Sequence, residues 1–287
     1  MQNRSGVSDS VAALIGLLVL VACFTHSRAQ NQAPGVSFSP ASSVLTLREP
    51  VVLRFELHNV SDDPIRTDLG QDLKGTFALS VSNPDGTTTS EISLPTVTGF
   101  HRTSEITVMP GDTFRQELLL NEWVAFPVAG VYIVEVAMKN PILTGNERVI
   151  VEPFRTQINI LPRNEARLSE TCDRLAAEIE NSNSVELAVK AAEALASVRD
   201  NIALPYLKRA LDSGKYVEPQ IIGGLERIGS RQAVDVLIAL LGEVGEQRYD
   251  ASTRAGTRAI LARQGLQRIA LATNDAELRS YIEDAII

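Results

Sequence analysis

Side chains capable of covalent or acid–base chemistry are few. Cysteine occurs twice, at Cys23 and Cys172, and histidine three times, at His26, His58 and His101. Ser104, His101 and Asp112 supply the residue types of a nucleophilic relay, but three common types in one half carry no spacing signature. No G-x-G-x-x-G, Walker A, H-E-x-x-H or G-x-S-x-G run occurs. Asp62, Asp63 and Asp68 gather carboxylates near one loop, the oxygen chemistry that calcium selects. Asp is also a good turn former, and EF-hand spacing is missing. Asn59-Val60-Ser61 fits a glycosylation acceptor. Residues 163–287 contain no histidine at all. The expectation is a non-catalytic chain with no catalytic residue, no cofactor and no metal site.

The first 29 residues read as an address. Val11 to Cys23 is an apolar run interrupted only by Gly16. It is too short to span about 30 Å of hydrocarbon and suits the central region of a signal peptide. Ser27-Arg28-Ala29 places small residues before a cut that would start the mature chain at Gln30. Leu20-Val21-Ala22-Cys23 also resembles the lipobox of bacterial lipoproteins, which implies lipidation of Cys23. Two destinations follow: secretion or the periplasm, or a membrane-anchored lipoprotein. With Cys23 removed or lipidated, Cys172 stands alone. It is expected to be a small buried hydrophobe, with an intermolecular disulfide as the alternative.

Composition narrows the partners. The net charge is −8, from 27 Lys and Arg against 35 Asp and Glu. Non-specific nucleic-acid binding rests on neutralising phosphates, so an acidic chain without a basic stripe is a poor candidate. The same argument disfavours anionic membrane surfaces, leaving Cys23 as the route to a membrane. Apolar residues make up 44% and charged residues 22%, the balance of a globular chain rather than a disordered one. A length of 287 residues accommodates two domains.

Those domains differ in period. From Val36 to about Ile160 apolar and polar residues alternate, as in Val52-Leu53-Arg54-Phe55-Glu56-Leu57-His58 and Tyr132-Ile133-Val134-Glu135-Val136. Alternation marks antiparallel strands with one buried face. Asn83-Pro84-Asp85-Gly86 and Pro110-Gly111-Asp112 are turn sequences, because Pro presets φ and Gly accepts positive φ. Strands are expected near 36–39, 43–48, 51–59, 65–68, 76–82, 89–94, 113–121, 131–138 and 148–161, forming a β-sandwich over residues 30–162. Trp123 follows a strand, in the run Asn121-Glu122-Trp123-Val124, and reads as a core plug or corner anchor, with a ligand-stacking role as the alternative.

Three features carry a resemblance in this half. Glu49-Pro50 opens into VVLRFELHN, Met109-Pro110-Gly111-Asp112 leads into TFRQELLLN, and Ala129-Gly130-Val131-Tyr132 begins YIVEV. The half resembles the immunoglobulin-like and fibronectin-like accessory domains of secreted bacterial proteins, which implies an Ig-like antiparallel sandwich. The cysteine pair of antibody domains is missing.

Leu161-Pro162-Arg163-Asn164 marks the boundary. Pro ends the last strand and Asn164 can cap a helix. Over residues 163–287 the period is 3.6 and helix formers dominate. The stretch ALASVRDNIALPYLKRAL from Ala194 aligns with GLERIGSRQAVDVLIALL from Gly224 at an offset of 30 residues. Leu195 then matches Leu225, Ala203 matches Ala233, and Leu207 matches Leu237. Leu266, Ile269 and Ala276 echo the pattern more loosely. A fixed period of this size signals stacked helix pairs, since one pair cannot bury its apolar face alone. On Ala194-Leu195, Val198, Leu225, Ile228, Gly229, Ala203 and Ala233 the unit resembles the short HEAT-type repeat, the variety shared with phycobilin lyases. That resemblance implies an α-solenoid that binds other proteins on its concave face.

The fold class expected is therefore multidomain β + α: an antiparallel sandwich followed by a short α-solenoid of helical hairpins. The function expected is a secreted or envelope-associated interaction or scaffold protein whose partner is another protein. An accessory or inhibitor module engaging a protease or polysaccharide is the alternative. The binding residues would lie on one ridge of the helices, or on sandwich loops such as Leu94–Ser104. Arg199, Lys208, Arg209, Lys215, Arg227 and Arg231 recur near turns and ridges; most read as solvated faces, with a binding edge lined by a minority as the alternative.

Overall fold

A computed structural model of the chain describes residues 34–70, 73–90, 105–145, 147–242 and 253–286. The signal segment with Cys23, and the loop residues His101 and Ser104, lie outside the described residues.

Strands fill the first half and helices the second. The strands are β1 (Gly35–Pro40), β2 (Val44–Thr46), β3 (Val52–His58), β4 (Ile65–Asp68), β5 (Phe77–Ser82) and β6 (Thr88–Ser90). They continue as β7 (Glu105–Val108), β8 (Thr113–Leu119), β9 (Gly130–Met138), β10 (Ile142–Thr144), β11 (Glu147–Val149) and β12 (Phe154–Leu161). A single helical turn, α1 (Leu73–Thr76), precedes β5. Hydrogen bonding sorts the strands into three sheets, in the orders β1-β3-β8, β11-β10-β4-β7 and β2-β12-β9-β5-β6.

The expectation of purely antiparallel pairing fails at β2. It runs parallel to β12, with Val44 opposite Asn159 and Thr46 opposite Leu161. The expected strand over 148–161 is broken as well. Pro153 cannot donate to a ladder, and Ile150 beside the break is 81% exposed. The strand over 113–121 stops at Leu119, where Leu120–Glu122 forms a 3-10 turn. That turn tucks Trp123 into the core, as its apolar bulk requires.

Alternation in β3 and β9 turns Leu53, Phe55, Leu57, Tyr132, Val134 and Val136 inward, and all are buried. They join Phe38, Phe77 and Ile158 in one core fed by strands of different sheets. Phe55 packs edge-on against Phe77 with ring centroids 5.2 Å apart. Tyr132 is buried, yet its hydroxyl donates to the Val128 carbonyl at 2.8 Å, so the ring enters the core without a lost hydrogen bond.

The helices are α2 (Glu165–Asn181), α3 (Val185–Ala196), α4 (Leu204–Asp212), α5 (Glu218–Ile228), α6 (Arg231–Gly242), α7 (Arg254–Ala272) and α8 (Ala276–Ile286). Asn164 caps α2 by accepting the Arg167 amide at 3.1 Å. Asp200 opens the 3-10 turn Asn201–Ala203 that leads into α4, by accepting from the Ile202 amide. Gly229 ends α5 at φ 60°, a left-handed cap that suits glycine. Leu195, Leu225, Ala203, Ala233, Leu207 and Leu237 are all fully buried in a second core, separate from that of the sheets. Where α3 and α5 cross, a Cβ on Gly224 would lie 2.9 Å from Ala196, so a bare glycine sets their approach.

Candidate functional site

The sheet half and the helical half meet in a polar joint built by β2. Thr46, at the end of that strand, donates its hydroxyl to the Pro162 carbonyl at 2.7 Å and accepts the Asn164 amide at 2.8 Å. Its own amide donates to Glu49 Oε2 at 2.6 Å. Glu49 is only 5% exposed. Its Oε1 accepts from Arg167 Nε and from the Thr171 hydroxyl, each at 2.9 Å. A buried carboxylate is tolerable only when its lone pairs are filled, and both oxygens of Glu49 are engaged. Arg167 also donates Nη2 to the Val44 carbonyl at 2.8 Å. The first turn of α2 is thus tied to both ends of β2.

A second tie lies beside it. Arg163 forks onto both oxygens of Asp200, at 2.7 and 3.0 Å. That pairing holds the Asp200 carboxyl below the ordinary carboxylate range, against the opposing effect of its partial burial. Further along, Arg227 spans Glu122 of the 3-10 turn at 3.6 Å and the Ala196 carbonyl at 3.2 Å.

Between the halves runs a groove of about 1300 Å³. The sheet side contributes Leu45, Pro50, Val52, Arg54 and Glu117, and α2 and α3 contribute Arg167, Arg174, Glu178, Leu187, Lys190 and Ala191. Leu45 and Leu175 form buried floor, while Leu187 is 61% exposed on the rim. Charges on the walls are mostly paired within each wall, Arg54 with Glu117 and Arg174 with Glu178. The groove thus has an apolar floor and a polar rim whose charges are mostly neutralised within each wall.

The residues singled out by sequence fall in varied places. Cys172 is fully buried, and burial pushes its thiol up to about 12, which leaves an inert hydrophobe. Asn59 of the glycosylation acceptor is also fully buried. Its amide donates to the Asp63 and Val108 carbonyls and its oxygen accepts from Ser61, so a loop staple occupies every group a glycan would need. Asp62, Asp63 and Asp68 do not converge, and among the described residues no cluster of three His, Cys, Asp or Glu could hold a metal. His58 Nδ1 lies 2.9 Å from the Thr113 hydroxyl, on a strand pair. No described helix is long and apolar enough to cross a membrane.

The recurring basic residues are largely clamps. Arg209 holds Asp173 at 2.7 Å, and Lys215 donates to the Ser182 carbonyl at 2.7 Å. Arg231 stacks over Tyr281, 3.2 Å from the ring centroid. Lys208 is exposed. Sequence reasoning missed Thr46, Glu49, Arg167 and Glu122, whose roles depend on partners far along the chain. Glu49-Pro50 was visible only as a strand opening.

No family model matches the chain, and no curated protein matches it. Among solved structures it is similar to Northeast Structural Genomics Consortium target SoR45, at 11% identity and a TM-score of 0.28, over 44% of this chain and 88% of that one. It is also similar to the sporulation control protein Spo0M of Bacillus subtilis, at 12% identity and 0.26, over 50% and 55%. A β-glucosidase of Listeria innocua matches at 12% identity and 0.24, over 45% of this chain and 17% of that one. Likenesses of this size carry no argument on fold or activity. The resemblances to immunoglobulin-like and fibronectin-like domains and to the HEAT-type repeat are corrected, since no family model of either kind matches. Periods of 2 and 3.6 specify strands and helices with one buried face, which many unrelated families share. The parallel β2–β12 pair and the three separate sheets also depart from the antiparallel sandwich those resemblances implied.

Proposed function

We propose that this chain is an exported, non-catalytic interaction protein that seats an extended segment of another protein in the groove between its halves. The observation that carries the reading is the groove itself: its two walls come from different halves, and the Glu49 joint fixes their spacing. An apolar floor with a paired-charge rim offers burial to a partner's side chains without demanding a fixed charge pattern. The same reading takes the sheets as the two layers of a sandwich and the helices as a short stack of hairpins. It draws support from the shared sheet core and from the buried pairs Leu195/Leu225 and Leu207/Leu237 at one offset. Export rests on the apolar run Val11–Cys23, ending in cleavage after Ala29 or in lipidation of Cys23.

A photo-crosslinking residue tests the groove. Placed at Leu187 on the rim, it should join the protein to a discrete partner in an envelope extract. Placed at Leu271, which is 85% exposed on α7, a helix that does not line the groove, it should not. Equal labelling from both positions, or none from Leu187, would sink the reading.

A further inference from the structure

Glu49 lines the groove and also a small separate cavity of about 30 Å³. That volume holds about two water molecules, or one compact triatomic group. Its polar lining comes from Arg48, Asn121, Ser197 and Arg199, and its apolar lining includes Phe126 and Ile160. Strand turn, 3-10 turn and the end of α3 therefore converge on one spot.

The charges there do not balance. Arg199 is half-buried. Burial, then the neighbouring Arg227, push its guanidinium below its ordinary pKa; Glu122 opposes the fall and Arg48 adds to it. The acids nearby are already engaged. Glu49 serves Arg167, Thr171 and the Thr46 amide. Asp200 serves Arg163 with both oxygens, and Glu122 faces Arg227. Neither Arg48 nor Arg199 has a side-chain hydrogen bond to a described residue. Asn121 spends its oxygen on the Val51 amide at 2.6 Å, which leaves its two N–H donors. Ser197 donates to the Ala194 carbonyl at 2.7 Å, which leaves its lone pairs.

The backbone adds a further observation. Arg48 holds φ 82°, the one positive value at a non-glycine among the described residues. A residue with a Cβ enters that region against steric resistance. A glycine or asparagine would relieve it, yet an arginine occupies the turn that faces the cavity.

We propose that this cavity is a carboxylate-binding site, with Arg48 and Arg199 as the guanidinium donors and the Asn121 amide as the neutral one. A planar carboxylate matches the planar fork of arginine and fits the volume, whereas a bulkier tetrahedral oxyanion fits it less well. The carboxylate comes either from a free small acid or from an acidic side chain of a bound polypeptide. The site stands whether or not the groove holds a partner.

Thermal melts and calorimetric titrations of the full chain test it. Sodium formate replaces sodium chloride at constant ionic strength in one arm; acetyl-Gly-Glu-Gly-amide, against its Gln counterpart, is the probe in the other. Formate is expected to raise the melting temperature saturably. The Arg199→Gln variant should melt higher than the parent in chloride, because a repulsive cation is gone, and should gain nothing from formate. Affinity in that variant should fall at least about tenfold. Arg48→Gln, at an exposed turn, should lose the response while keeping the fold. A response to the Glu peptide but not the Gln peptide assigns a polypeptide side chain as the source. A response to formate without either peptide assigns a free acid. No saturable response to formate or the Glu peptide, or an undiminished one in both variants, overturns the site.

Discussion

Glu49 and Arg167 meet at 2.9 Å although 118 positions separate them in the chain. One partner is buried and the other is partly open to solvent, so the pair is neither a surface ion pair of little consequence nor a wholly desolvated one. Its strength lies in shared duty, since the same carboxylate also holds Thr46 and Thr171.

Glu49→Gln is expected to destabilise the chain by about 2–4 kcal/mol, between the cost of a charged hydrogen bond and that of breaking a buried pair. The new amide N–H₂ must face a donor at one end, whichever way it turns. Urea melts measure the loss. A double-mutant cycle with Arg167→Met should show coupling, and strict additivity would mean that the two side chains act separately.

Leu207→Ala and Leu237→Ala should each cost about 2–5 kcal/mol, because each removes methyl groups from a sealed core. Lys208→Ala, at an exposed neighbour, should cost roughly 0.5 kcal/mol or less. Asp235 is a poorer control than its exposure suggests, since it accepts the Tyr281 hydroxyl at 2.9 Å. Denaturant midpoints of the three variants decide the matter; similar values throughout would make the offset of 30 a coincidence of composition.

Gly224→Ala should destabilise by about 1–3 kcal/mol, since its Cβ would push into Ala196 backbone and side chain. Gly75→Ala in α1 meets nothing within 4 Å and should be neutral or slightly stabilising. The comparison by thermal melting separates crowding from helix propensity, which favours alanine at both sites.

Asp200 predicts an acid limb in the stability profile. Its folded pKa is lowered by Arg163, so its contribution is present above the ordinary carboxylate value of about 4. That contribution fades as pH falls from there through the lowered folded value. Arg163→Gln should flatten this limb and leave stability at neutral pH less dependent on Asp200. An unchanged limb in the variant would assign the acid sensitivity to other carboxylates.

The amino terminus is open to direct measurement. Mass spectrometry of protein recovered from an exporting host should find a chain beginning at Gln30 or a diacylglyceryl group on Cys23. An intact Met1 would remove export from the proposal.

Much of the local structure is legible in the residues alone. Asn164 ends one period and begins the other, and it caps α2. The alternation of β3 puts Leu53, Phe55 and Leu57 on the buried face. Short elements escape, because the three residues of β10 or β11 cannot display a period. The joint escapes for a different reason. Glu49 looks like any polar residue at a strand opening, and only the arrival of Thr171 and Arg167 makes it a hub. Asn59 misleads in the same way: its sequon is a local pattern, whereas its burial depends on Val108. The candidate site is illegible because its walls come from segments far apart in the chain.

The parallel seam between β2 and β12 has a mechanical consequence. Tension drawn through the helices enters the sheets at Leu161, the last residue of β12. That strand has neighbours on both sides, β2 and β9, whose ladders run across the direction of pull. The load is therefore borne in shear, with many bonds strained at once, rather than by unzipping one after another. Thr46 and Glu49 sit at the point of entry and take the first strain. A chain moored at its amino end and gripped at its helices would resist extension at this seam, and single-molecule pulling would register the yield of β12 as one abrupt event.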